Sequence, residues 1–192
     1  PDIVSLEPNY LDEVWSDFER VGEKLNSSDS YLKFKTEIEQ RLENLKQKSQ
    51  HISKRPTVVC VEWIDPLMIA ANWVPELVDI AGGINLLTKP GSHSHIFKWE
   101  EIIESNPEFI IMMPCGFDIN RTLEEIEILK QKTDWSKLEA VKSNHVFVVD
   151  GNQYFNRPGP RLLESAEILF EIFNFNENKV KVFVNSWIRL EQ

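Results

Sequence analysis

The residues of this sequence that could do chemistry fall into three small groups. "GSHSH" sets His93 and His95 two apart. In extended backbone both imidazoles would share a face that could hold zinc or another metal ion, with Cys115 and Asp118 as candidate fellow ligands. The same pair also reads as a solvated Gly-Ser turn, and no CxxC or HExxH accompanies it. Glu62 and Asp65 could pass for an acid-base pair, but no third group orients them and no nucleophile elbow exists, which is weak support for an enzyme.

The third group is "GNQYFNRPGPRLLESAEIL", residues 151 to 169. Prolines remove ladder donors and glycine weakens a strand, so Tyr154, Phe155, Asn156 and Arg157 are expected on a rigid loop before an amphipathic helix. Tyr154 and Phe155 are neighbours and point opposite ways in extended backbone, so that one can enter the core while the other faces a ligand. Arg157 either contacts a ligand amide or phosphate or pins the loop by bonding carbonyls, and Asn156 carries the same alternatives.

Such a loop needs a scaffold. The runs "TVVCVEW" (57–63), "EFIIMMP" (108–114) and "HVFVVD" (145–150) read as buried strands, with helices expected near 72–81, 99–105, 121–132 and 160–173. That alternation predicts an α/β layer with helices on both faces of the sheet. Right-handed crossovers then place the loops after Trp63, Pro114 and Asp150 on one sheet edge, where α/β ligands bind. Trp63 and Phe117 end two of these strands and either stack on a ligand or cap the core. Trp73 either opens a helix capped by Asn72, with Pro75 in its first turn, or packs inward.

Upstream, "DIVSL" (2–6) reads as a short strand and 9–25 as an amphipathic helix. Residues 28–52 lack Gly and Pro and carry Leu32, Ile38, Leu42 and Leu45 as a narrow stripe. A helix of about 35 Å that is this polar is expected to bridge two lobes. "KVKVFVNSWIRLEQ" alternates over 179–184 and suggests an edge strand. We therefore divide the chain into residues 1–26, a connecting helix 27–54, and a Rossmann-like three-layer αβα lobe over 55–192.

Composition excludes several functions. A net charge of -10 and a pI near 4.9 argue against nucleic-acid binding, which needs clustered Lys and Arg. No apolar run approaches the roughly 18 residues of a membrane span. Cys60 and Cys115 lie in or beside apolar runs, where free cysteine behaves as a small buried hydrophobe.

"EWIDPLMIAANWVPELVDIAGG", "GSHSHIFKWEEIIESNPEFIIMMPCGFD" and "DGNQYFNRPGPRLLESAEIL" resemble the cobalamin-binding group of helical-backbone substrate-binding proteins, relatives of the periplasmic vitamin B12 receptor of ABC importers. The resemblance implies two Rossmann-like lobes joined by one long helix, a corrinoid held between them, and no catalysis. It implies that residues 1–26 are the remnant of a first lobe, most of which would lie outside this chain. It also implies that Glu100 docks on arginines of a membrane permease, whereas a carboxylate in a first helical turn is by itself ordinary. Under the resemblance, Trp63, Trp73, Phe117, Tyr154, Phe155, Asn156 and Arg157 line the ligand cleft of a monomer outside the cytoplasm. Without a signal peptide in the sequence, a cytoplasmic location stays open.

The alternatives are a heme or iron-siderophore receptor and a cytosolic metal- or corrinoid-handling enzyme. Siderophore receptors tend to line the cleft with Arg. Loops that read as mainly aromatic and amide favour a corrinoid.

Overall fold

A computed structural model describes residues 3–177 and 180–191. In chain order the elements are α1 (Leu11–Lys24), α2 (Ser28–Ser49), β1 (Thr57–Trp63), β2 (Met68–Ile69), α3 (Val74–Ile80), β3 (Ile84–Asn85), β4 (His95–Ile96) and α4 (Trp99–Ser105). There follow β5 (Phe109–Met112), α5 (Ile119–Glu125), α6 (Glu127–Lys130), a 3-10 turn (Trp135–Lys137), α7 (Glu139–Lys142), β6 (Val146–Val149), α8 (Leu162–Phe173) and β7 (Trp187–Arg189).

The sheet runs β4-β2-β1-β5-β6-β7, with β3 beside the start of β1. β1, β5 and β6 are parallel to one another, while β2, β4 and β7 are antiparallel to their neighbours. The central strands are apolar throughout because both faces are covered, and their side chains alternate between two cores. Val58, Cys60, Ile111, Met113, Phe147 and Val149 pack under α1, α2, α3 and α8. Val59, Val61, Ile110, Met112, Val146 and Val148 pack under α4 to α7. The expected three-layer αβα architecture is the observed one.

The long polar helix is α2. It buries Tyr31, Ile38 and Leu45, seven residues apart and therefore on one seam. Leu32, expected on that stripe, is 55 % exposed, since at 3.6 residues per turn it lies about 120° around the helix from Ile38. Arg41 on α2 makes a two-pronged bond to Glu167 on α8, Nε to Oε1 at 3.2 Å and Nη2 to Oε2 at 2.7 Å. Gly22 lets α1 approach α2, since a Cβ there would stand 3.2 Å from Tyr31. Glu76 on α3 accepts the backbone N–H of Leu11 at 2.8 Å, so the start of α1 is tied to the same body.

Two expected strands do not form among the described residues. Residues 3–6 pair with nothing, and Ile3 and Leu6 are 89 % and 46 % exposed; residue 2 lies outside the described residues. Among the described residues no strand stands beside the segment to take its backbone groups. In the tail, residue 179 also lies outside the described residues, and 180–184 form no ladder. The N–H groups of Val182 and Phe183 go instead to the Glu171 carboxylate at 2.7 and 3.1 Å. The strand that closes the sheet is β7, three residues further on, paired with β6 through Val149 and Trp187.

Candidate functional site

Because β1, β5 and β6 are parallel, the loops after them share one edge, and hydrogen bonds fasten them together. The N–H of Cys115 donates to the carbonyl of Glu62 at 3.0 Å, joining the first loop to the second. The N–H of Asn152 donates to Phe117 at 2.9 Å, joining the second to the third. Asn156 reinforces that seam, its amide donating to the carbonyls of Met113 at 2.8 Å and Gly151 at 3.0 Å. The approach is close enough that a Cβ on Gly151 would overlap the Pro114 carbonyl oxygen.

The third loop is built around a buried carboxylate. Asp150 is 6 % exposed and accepts the N–H groups of Asn152 and Gln153 and the Gln153 amide, at 2.7 to 3.0 Å. The chain then enters the left-handed region at Phe155, φ +67°, a conformation that costs a non-glycine residue on the order of 1–3 kcal/mol. Three contacts hold it there. The ring is 1 % exposed, the N–H donates to Ser165 Oγ at 3.0 Å, and the carbonyl accepts the Trp73 indole N–H at 2.7 Å.

These placements separate the expected ligand residues. Trp63 and Phe117 are half-buried at the edge, ring centroids 5.2 Å apart, with the Arg121 guanidinium 5.3 Å from the Phe117 ring. Tyr154 is half-buried and its hydroxyl accepts from Ser186 at 3.2 Å. Arg157 is exposed, 3.5 Å from Asn152 Oδ1. Trp73, 8 % exposed, and Phe155, 1 % exposed, pack their rings into the core, and Phe155 also borders the cavity that Arg157 lines. Both rings are consumed in holding the loop, as is the Asn156 amide. Asn72 does not cap α3. The helix starts at Val74, Asn72 has φ +51°, and its amide reaches Asn9 at 3.1 Å.

The residue that sequence reasoning passed over is Arg161. The Pro158-Gly159-Pro160 turn folds the chain so that Arg157 and Arg161 line one cavity of about 390 Å3 with Asn152 and Gln153. Among the described residues neither guanidinium has an ion-pair partner, and Arg161 lies 3.5 Å from Gln153 Oε1. The signal was the pair of arginines flanking "PGP". A larger cavity, about 460 Å3, lies elsewhere, between α2 and α8.

The metal group does not assemble. His93 and His95 are exposed at the outer strand β4, and only His95 is in a strand. The His95 ring is tilted against Phe97, centroids 4.3 Å apart, and its Nδ1 lies 3.3 Å from the His93 carbonyl. Among the described residues no three His, Cys, Asp or Glu side chains are placed to hold an ion. Cys115 is exposed as a residue, while partial desolvation from neighbouring atoms, and then the Glu62 charge, raises its thiol, offset in part by Arg157. Cys60 is fully buried and its thiol is raised by desolvation alone. Glu100 is exposed in the first turn of α4, whose N-terminus is closed by Glu101 accepting the Lys98 N–H at 2.8 Å. No helix among the described residues is long and apolar enough to cross a membrane.

The result is an αβα lobe with three loops fastened along one sheet edge and a long helix on its flank. Residues 2–152 match the family model for periplasmic binding proteins, and the chain belongs to that family. The "High-affinity heme uptake system protein IsdE" of Staphylococcus aureus strains MRSA252 and Newman is 27 % identical over 118 residues, 57 % of this chain. The match spans 38 % of the length of those relatives. Among solved structures, an ABC transporter substrate-binding protein from Listeria monocytogenes EGD-e superposes with a TM-score of 0.77 at 18 % identity, covering 88 % of this chain and 66 % of its own. S. aureus IsdE complexed with heme gives 0.76 at 20 %, covering 85 % and 65 %. A periplasmic heme binding protein from Pseudomonas aeruginosa gives 0.73 at 20 %, covering 90 % and 62 %. At these identities the structural likeness shows the fold.

Proposed function

We propose that the chain supplies the second lobe and the connecting helix of an extracytoplasmic receptor for an ABC-type importer, and that its loop edge takes an anionic iron chelate, heme foremost. It binds without catalysis, against a first lobe of which residues 1–26 are the end. Glu100, exposed at the start of α4, serves as the contact to the permease.

The observation that carries the choice of ligand is the cavity shared by Arg157 and Arg161. Two guanidiniums without carboxylate partners among the described residues, in a cavity whose Asn152 bonds the Phe117 carbonyl of the neighbouring loop, suit a ligand that ends in carboxylates, which heme with its two propionates is. Cobalamin presents mainly amides to its surroundings. Of the aromatic and amide side chains that, beside the resemblance, favoured a corrinoid, Trp73 is buried in the core and the Asn156 amide is taken up by two backbone carbonyls. The heme uptake relatives support the same reading.

Absorbance titrations of hemin and of hydroxocobalamin, into this chain and into an N-terminally extended version, test the proposal. We expect a saturable Soret shift with hemin that is tighter in the extended form and at least tenfold tighter than any response to hydroxocobalamin. Tighter cobalamin binding, or no response of the extended form to hemin, would overturn it.

A further inference from the structure

We propose that the cavity between α2, α8 and residues 180–183 is a second small-molecule site, one that takes an amphipathic monocarboxylate such as a medium-chain fatty acid anion. The cavity, about 460 Å3, is within the range of roughly 300–1,000 Å3 typical of small-molecule sites. Its lining is mainly apolar, from Leu45 of α2, Phe170 of α8, and Phe175 and Phe183 beyond it. It is remote from the loop edge. α8 runs away from that edge, and Phe170 stands roughly 14 Å of helical rise beyond Arg161.

Charge at the rim selects the ligand. Arg41 is taken up by Glu167, and the Glu171 carboxylate by the N–H groups of Val182 and Phe183. Lys181 donates to the Trp187 carbonyl at 2.5 Å and lies 3.8 Å from the Trp187 ring centroid. Lys48, exposed on the last turn of α2, is the rim cation with no side-chain partner among the described residues. Asn44 and Asn174 add neutral amides. The chemistry that fits is an apolar body with one negative head, the body against the phenylalanines and the head toward Lys48. Residues 180–183 form a wall fixed by Glu171 instead of by sheet pairing, so the wall can adjust to a guest without breaking the ladder.

Two-dimensional amide NMR of the 15N-labelled chain, titrated with sodium decanoate below its micelle concentration, tests this independently of the heme reading. We expect saturable shifts at Leu45, Phe170, Phe175 and Phe183, with octanoate roughly tenfold weaker for its two missing methylenes. Decanol and the Lys48→Gln variant should each weaken binding at least fivefold. Lys48 is exposed, so that variant keeps the fold, and Phe183→Ala provides a second loss of affinity on the opposite wall. No saturable shift, shifts centred on Trp63 and Phe117, or equal affinity in Lys48→Gln would each overturn the proposal.

Discussion

The indole nitrogen of Trp73 donates to the carbonyl of Phe155 at 2.7 Å across 82 residues of sequence, and this buried bond ties the start of α3 to the loop that carries Arg157. It helps to hold Phe155 in the left-handed region, together with Ser165 and the packing of the ring. Trp73→Phe keeps most of the packing and leaves the Phe155 carbonyl buried and unpartnered. That should cost about 1–3 kcal/mol. Urea unfolding checks the loss, and hydrogen exchange should show faster exchange at residues 154–157 than at β5.

Gly151 is the point where the third loop crosses the second. Alanine there would place a Cβ against the Pro114 carbonyl and 2.9 Å from the Met113 carbonyl carbon, both backbone atoms that cannot swing aside. Gly151→Ala should destabilise the protein by about 1–3 kcal/mol. It should also shift the amide resonances of Gly116 and Asn152, which the seam connects.

Glu76 has its carboxyl raised above the ordinary value, first by desolvation and then by Asp12 and Glu13, against the lowering effects of the Leu11 N–H and Lys46. An acid whose folded pKa is raised disfavours its charged form in the fold. Its contribution is therefore intact below the unfolded pKa and declines as pH climbs through the folded one. Glu76→Gln should accordingly gain stability relative to the parent between acid and neutral pH while matching it in acid. Thermal unfolding of both proteins across pH 3.5 to 7 reads the difference.

The two cysteines should differ in reactivity. Cys115 is exposed and Cys60 is sealed in the sheet, so a thiol reagent should label one sulfur per native chain and two after denaturation. Because the Cys115 thiol is raised, its labelling rate should keep climbing with pH beyond 9. Under the proposed function, hemin should slow the reaction.

Much of the scaffold is legible in the sequence because burial on two faces writes itself as unbroken apolar runs, which is how β1, β5 and β6 announce their edge. What stays hidden depends on partners far along the chain. Nothing near Trp73 says that it will meet the Phe155 carbonyl, and nothing in the parity of Tyr154 and Phe155 says which enters the core. The alternating valines at 180, 182 and 184 read as a strand, yet the pairing edge of β6 is taken by Trp187–Arg189, and those valines are 63 to 92 % exposed. Arg161 was visible but inconspicuous. Its meaning lies in a turn that returns it to the cavity of Arg157, and a turn's geometry is only loosely given by "PGP".

The most direct test of the account is the comparison of hemin with hemin dimethyl ester, in the N-terminally extended protein and in its Arg157→Ala/Arg161→Ala variant. If the arginine pair receives the carboxylates, the ester should bind at least tenfold more weakly than hemin, and the variant should bind the two alike. Equal affinities for hemin and its ester in the unmodified protein would contradict the account.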